Sequence, residues 1–135
     1  PVLSGEAAGA DAVFPHVTYC AGLAKYVMVY CVNAYQEFGA APRRSGIYAA
    51  FSSDGLRWPG RDQRQLLVGY TVPCIGKELA WHPTLVLDAE AANRTAKGWL
   101  YYSYTESWGH NAPHKAHYLV GAPIELSVED GEPGG

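Results

Sequence analysis

Gly46-Ile-Tyr-Ala-Ala-Phe-Ser-Ser-Asp-Gly-Leu-Arg-Trp58 is the stretch whose reading decides the fold. Ile47 to Phe51 is an apolar, aromatic-containing run of strand length,. Ser52-Ser53-Asp54-Gly55 is a turn with a mechanism: Ser and Asp side chains bond nearby backbone N–H groups, and Gly accepts the positive φ that tight turns need,. Trp58 follows where a returning strand would bury a large ring. Asp54 and Gly55 are therefore read as structural turn residues, and a catalytic acid at Asp54 is the weaker reading.

Outward from this hairpin the same alphabet continues. Toward the N-terminus, Lys25 to Val32 is the clearest strand, β-branched and aromatic throughout and too apolar on both faces to be an edge,. Phe14 to Cys20 is a shorter strand joined to it by a turn at Ala21 to Ala24, and Gln65 to Val68 is a fourth. After a connector, Gly69 to Ala80, the pattern restarts. His82 to Leu87 and Trp99 to Tyr104 read as strands, separated by a polar, Ala-rich excursion at Asp88 to Gly98 with room for one helical turn. Lys115 to Val120 and Pro123 to Leu126 supply a third and a fourth strand. Trp99 and Tyr104 are assigned to the core.

Both halves carry a His-x-Thr frame, His16-Val-Thr18 and His82-Pro-Thr84, at a period of about 66 residues (82 minus 16). Four-stranded units in tandem are the sequence signature of propeller blades. The expected fold is all-β: two four-stranded antiparallel propeller-blade-like sheets forming an incomplete β-propeller. Residues 1–13 are a lead-in, 14–128 the two-blade domain (blade one 14–69, blade two 77–128), and 129–135 an acidic, Gly-rich tail expected to be disordered,. Two blades cannot close a ring, so a fragment of a longer chain or a homo-oligomer is expected, with a two-sheet sandwich as the third option. The absence of methionine before Pro1 favours the fragment.

Composition bounds the partners. The chain has 135 residues, 48% hydrophobic, with ten Tyr and four Trp, which supplies a core and rings for ligand stacking,. A net charge of −3 with only ten Lys and Arg argues against nucleic acid,. No apolar run is long enough to span a membrane and no signal peptide is evident, which leaves a bacterial cytoplasmic and a secreted location both open. Cys20, Cys31 and Cys74 are odd in number and lack Cys-x-x-Cys spacing, so three buried thiols are expected rather than a disulfide framework or zinc site,. His110, His114 and His117 lie near Pro113 in a β-rich setting where they would not converge, so no metal and no cofactor is expected,.

The Lys-Tyr-Val-Met-Val-Tyr strand, the Ser-Ser-Asp-Gly-Leu-Arg-Trp58 turn, His82-Pro-Thr-Leu85 and Gly98-Trp-Leu-Tyr-Tyr-Ser103 together resemble the later blades of five-bladed β-propeller glycosidases of the arabinanase, β-xylosidase and levansucrase kind. The resemblance covers Phe14 to Leu126 and implies a carbohydrate ligand. It also implies that the catalytic carboxylates sit on earlier blades, and neither the base nor the acid motif of those enzymes is present here. On the repeat alignment His16 and His82 take equivalent positions at the channel mouth, where imidazoles could bond sugar hydroxyls; the competing reading is that each His satisfies backbone groups in an inner-strand turn. Glu78, beside Trp81, is the best-placed carboxylate for a general acid, but hydrolysis needs a second one and none is evident. A solvated connector glutamate is the competing reading. Trp81, Trp108 and His110 complete the candidate substrate contacts. The expected function is a glycosidase-like propeller protein acting on or binding a glycan; a non-catalytic module for carbohydrate or protein binding is the alternative.

Overall fold

The computed structural model describes residues 11–33, 45–59, 64–70, 77–92, 94–108 and 117–128; the side chains of 11–13, 33, 45, 70, 77–79, 89–92, 106–108 and 117 fall outside that description. Seven strands form in chain order: β1 (Asp11–Cys20), β2 (Lys25–Asn33), β3 (Ser45–Ser52), β4 (Gln65–Tyr70), β5 (Lys77–Ala92), β6 (Thr95–Trp108) and β7 (His117–Ser127). They make one antiparallel sheet in the order β1-β2-β3-β4 and a second in the order β5-β6-β7. The sheets share one core and do not close into a ring. Among the described residues the sole helical element is a 3-10 turn at Ala21–Leu23, and no helix is long and apolar enough to cross a membrane.

Strand alternation explains the core. Val27, Val29 and Cys31 of β2 and Ile47 and Ala49 of β3 point toward the second sheet, where Leu85, Leu100 and Leu126 meet them,. The intervening residues Met28, Tyr30, Val32, Tyr48 and Ala50 are also buried, on the other face, against Trp58 and Leu66. Burial of both faces of β2 agrees with its unbroken apolar sequence. The Arg64 guanidinium lies 4.0 Å over the Tyr48 ring, a cation–π contact at the edge of this second cluster,. Burial raises the Tyr30 phenol above its ordinary value, which Arg64 partly offsets.

The turn after β3 is held as its residue types require. The backbone N–H of Gly55 donates to Ser52 Oγ at 2.9 Å, and those of Leu56 and Arg57 each donate to Asp54 Oδ1 at 2.8 Å. Gly55 takes φ 72°, and the Trp58 indole donates to its carbonyl at 3.1 Å. Asp54 is thus a structural acceptor. Those N–H bonds, chiefly from Arg57 and Leu56, hold its carboxyl below the ordinary carboxylate range. The sign follows: a carboxyl whose folded pKa is depressed stabilises the fold above its unfolded value and loses that contribution as pH falls through the folded one. Asp54→Ala is therefore expected to lower the melting temperature at neutral pH and to show a shallower loss of stability on acidification than the parent. Equal acid slopes in the two proteins, read from melting curves, would refute the role.

Three sequence expectations change. The third and fourth strands of the second unit are one strand, β7, so that sheet has three strands rather than four among the described residues. Pro123 does not interrupt it because β7 is an edge among the described residues, where a missing N–H need not break the ladder,. The Ala-rich excursion is not helical: β5 and β6 extend to Ala92 and Thr95, which pair directly across a tight connection. Trp99 is not in the core but 47% exposed on the outer face of the second sheet. Residues 1–10 and 129–135 lie outside the described residues.

Candidate functional site

Two X-Pro dipeptides, Phe14-Pro15 in β1 and His82-Pro83 in β5, build the candidate site. Proline has no N–H to give a ladder, so on an edge strand it either takes an outward-facing position, as Pro123 does, or lies in a bulge,. Each dipeptide bulges. In β1 the register passes from Val13↔Cys31 to His16↔Val29, leaving Phe14 and Pro15 opposite Tyr30 alone,. In β5 it passes from Trp81↔Ser103 to Thr84↔Tyr101, leaving His82 and Pro83 opposite Tyr102. Phe14 and His82 sit at φ 54° and 51°, the left-handed region that side chains with a β-carbon enter at a cost on the order of 1–3 kcal/mol each,.

The bulges face one another across the two sheets. The Phe14 and His82 rings are 4.1 Å apart by centroid, and Trp81 closes the group at 6.3 Å from Phe14 and 5.7 Å from His82. His16, two residues along β1 from Phe14, accepts a hydrogen bond at Nδ1 from the Leu85 N–H, 3.2 Å away on the opposite sheet. That bond leaves Nε2 as the nitrogen available to a ligand. Just inside, Cys31 Sγ lies 3.5 Å from the Ala80 carbonyl, and burial pushes this thiol up to about 12, so it is an inert packing group,.

Trp81 and His82 share one ring cluster with Phe14, while His16 bonds a backbone N–H of the opposite sheet, and the repeat relating His16 to His82 is shifted. The counterpart of His82 is Phe14, and that of His16 is Thr84, an offset of 68 residues (82 minus 14) instead of 66. What repeats is the X-Pro bulge opposite a tyrosine, not the His-x-Thr frame. Glu78 lies on β5, three residues before Trp81, with its side chain outside the described residues; the same holds for Trp108 at the end of β6, and His110 lies outside them altogether. Asp54 is committed to its turn, so no pair of carboxylates meets the junction among the described side chains. No group of three or more His, Cys, Asp or Glu is placed to hold a metal among the described residues.

Sequence reading missed a second surface. Trp99 and Tyr101 occupy the outer face of the second sheet with centroids 6.4 Å apart and planes 23° apart. Beside Trp99 lies a shallow groove of about 380 Å³ lined by Asp88, Lys97, Pro123 and Glu125. The signal was available: in Trp99-Leu-Tyr-Tyr-Ser103 a period of two puts Leu100 on one face and both Trp99 and Tyr101 on the other,.

No protein-family model, curated protein or solved structure matches this chain.

Proposed function

We propose that the chain is a propeller-type sheet module, of the glycosidase-like kind its sequence resembles, that binds a glycan at the junction of its two sheets rather than hydrolysing it alone. One observation carries this reading: two left-handed X-Pro bulges bring Phe14, Trp81 and His82 into a single ring cluster. Backbone in a costly conformation persists where the surroundings over-determine it, and such residues gather at ligand sites. His82 is exposed and Trp81 half-buried, so an imidazole and an indole are both within reach of a sugar's hydroxyls and C–H face,. The non-catalytic form of the reading is preferred because glycoside hydrolysis needs two carboxylates flanking the scissile bond.

The variant that tests it is His82→Gly, which keeps the left-handed backbone and removes the ring. Calorimetric titration with neutral arabino-, xylo- and fructo-oligosaccharides should show binding that His82→Gly weakens about tenfold, or about 1.4 kcal/mol, with a melting temperature equal to or above the parent's. Unchanged affinity in a folded His82→Gly protein would sink the assignment.

A further inference from the structure

The outer face of the second sheet has a construction that the junction does not explain. Trp99 and Tyr101 are two residues apart on β6 and so share a face, with their rings nearly parallel,. Across the ladder Tyr101 pairs with Gly121 and Trp99 with Pro123. A β-carbon at Gly121 would stand 2.9 Å from Tyr101 Cε1 and 3.8 Å from Trp99 Cε3. The absence of a side chain there is what lets the Tyr101 ring lie against β7, where Tyr101 stays 37% exposed. Val86, paired with Trp99 from β5, extends this apolar floor and is 54% exposed.

The rim is polar. Lys97 Nζ and Glu125 Oε2 approach to 3.8 Å at the groove, and the exposed Asp88 carboxylate lines its wall without a partner among the described residues. We propose that this face is a second carbohydrate site, separate from the junction. It takes an extended, β-linked glycan without acidic groups, with neighbouring sugar rings lying on Trp99 and Tyr101. A pyranose with equatorial substituents offers a flat array of axial C–H groups that match aromatic rings, and a β-1,4 linkage between equatorial oxygens keeps the chain extended. Its hydroxyls then reach Asp88, Lys97 and Glu125, which form charge-assisted hydrogen bonds while staying in water. Two carboxylates against one ammonium leave the rim net negative, and the whole chain is −3, so uronates and other anionic sugars are repelled,. A second protein sheet laid on this face would instead strip water from all three charges, a heavy desolvation cost that a sugar avoids.

The test is calorimetric titration of the full chain with xylohexaose and with hexagalacturonate, on the parent, Trp99→Ala, Gly121→Val and His82→Gly. Trp99→Ala should remove one set of xylohexaose sites or weaken it at least tenfold. Gly121→Val, which lifts the Tyr101 ring while keeping every aromatic residue, should weaken the same set. Hexagalacturonate should bind the parent at least tenfold more weakly than xylohexaose. Undiminished xylohexaose binding in a folded Trp99→Ala protein overturns the proposal, as does equal affinity for the acidic hexamer. So does light scattering that finds a parent dimer dissociated by Trp99→Ala, since the face would then be covered by a second copy. Sites lost in His82→Gly but not in Trp99→Ala would leave the junction reading standing and remove this one; the converse would do the reverse.

Discussion

Leu100→Ala is expected to cost about 2–5 kcal/mol of folding free energy, the range for truncating a large aliphatic side chain in a packed core. Leu100 is fully buried in the core between the sheets, with Leu85 paired to it from β5 and Ala122 from β7. Since small domains are stable by only about 5–15 kcal/mol, one substitution here removes a large share of the total. Urea unfolding should show a lower midpoint with an unchanged slope, because the native surface stays the same. The contrast with its neighbour is informative. Trp99 points the other way into solvent, so its truncation should touch stability little,. A loss under about 1 kcal/mol for Leu100→Ala would mean that the two sheets do not share this core.

Gly46→Ala should be comparably damaging, against the usual rule. Within a strand, replacing Gly by Ala ordinarily stabilises by about 0.5–1 kcal/mol through chain entropy. Gly46 has φ 156°, and a β-carbon on it would lie 2.0 Å from the Val68 carbonyl oxygen and 3.0 Å from the carbonyl carbon. Both obstacles are backbone, so neither can swing aside. The sheet can relieve the clash by releasing β4, whose Leu66, Leu67 and Val68 pack on the two cores. Overpacking and backbone strain each cost about 1–3 kcal/mol, and together they put the expected loss near 3 kcal/mol or more. Hydrogen exchange should report lost protection across 65–70 before it does so elsewhere. A variant as stable as the parent, with β4 still protected, would refute this role for the close approach at Val68.

Strands were legible where composition and alternation agreed. Lys25 to Val32 and Ile47 to Phe51 have no reading other than central strands, and Ser52-Ser53-Asp54-Gly55 names its own hydrogen bonds. Legibility failed where a residue's local preference was overruled by its place in the sheet. Pro123 looked like a boundary because a central strand would exclude it, and its tolerance depends on β7 being an edge,. The alanines at 91, 92 and 96 carry helix propensity, yet pairing between Ala91 and Ala96 and between Ala92 and Thr95 makes them a hairpin,. The candidate site divided in the same way. Trp81 and His82 were singled out in the sequence, while Phe14, which completes their ring cluster, was not, because an accidental His-x-Thr match hid the two-residue shift. Trp99 was misplaced because a large ring in an apolar strand suggests burial unless the face it occupies is asked for separately.

Pro123 has a meaning beyond strand continuity. An edge strand displays a row of free donors and acceptors to which any extended chain can add, which is how sheets polymerise. In β7 that row lacks a donor at its midpoint, between Ala122 and Ile124, on a sheet whose outer surface is rich in exposed apolar side chains. A protein that keeps Val86, Trp99 and Leu119 in water needs some other safeguard against fibril growth. Pro123 takes one donor out of that row, which is how a proline discourages another chain from adding to an edge,.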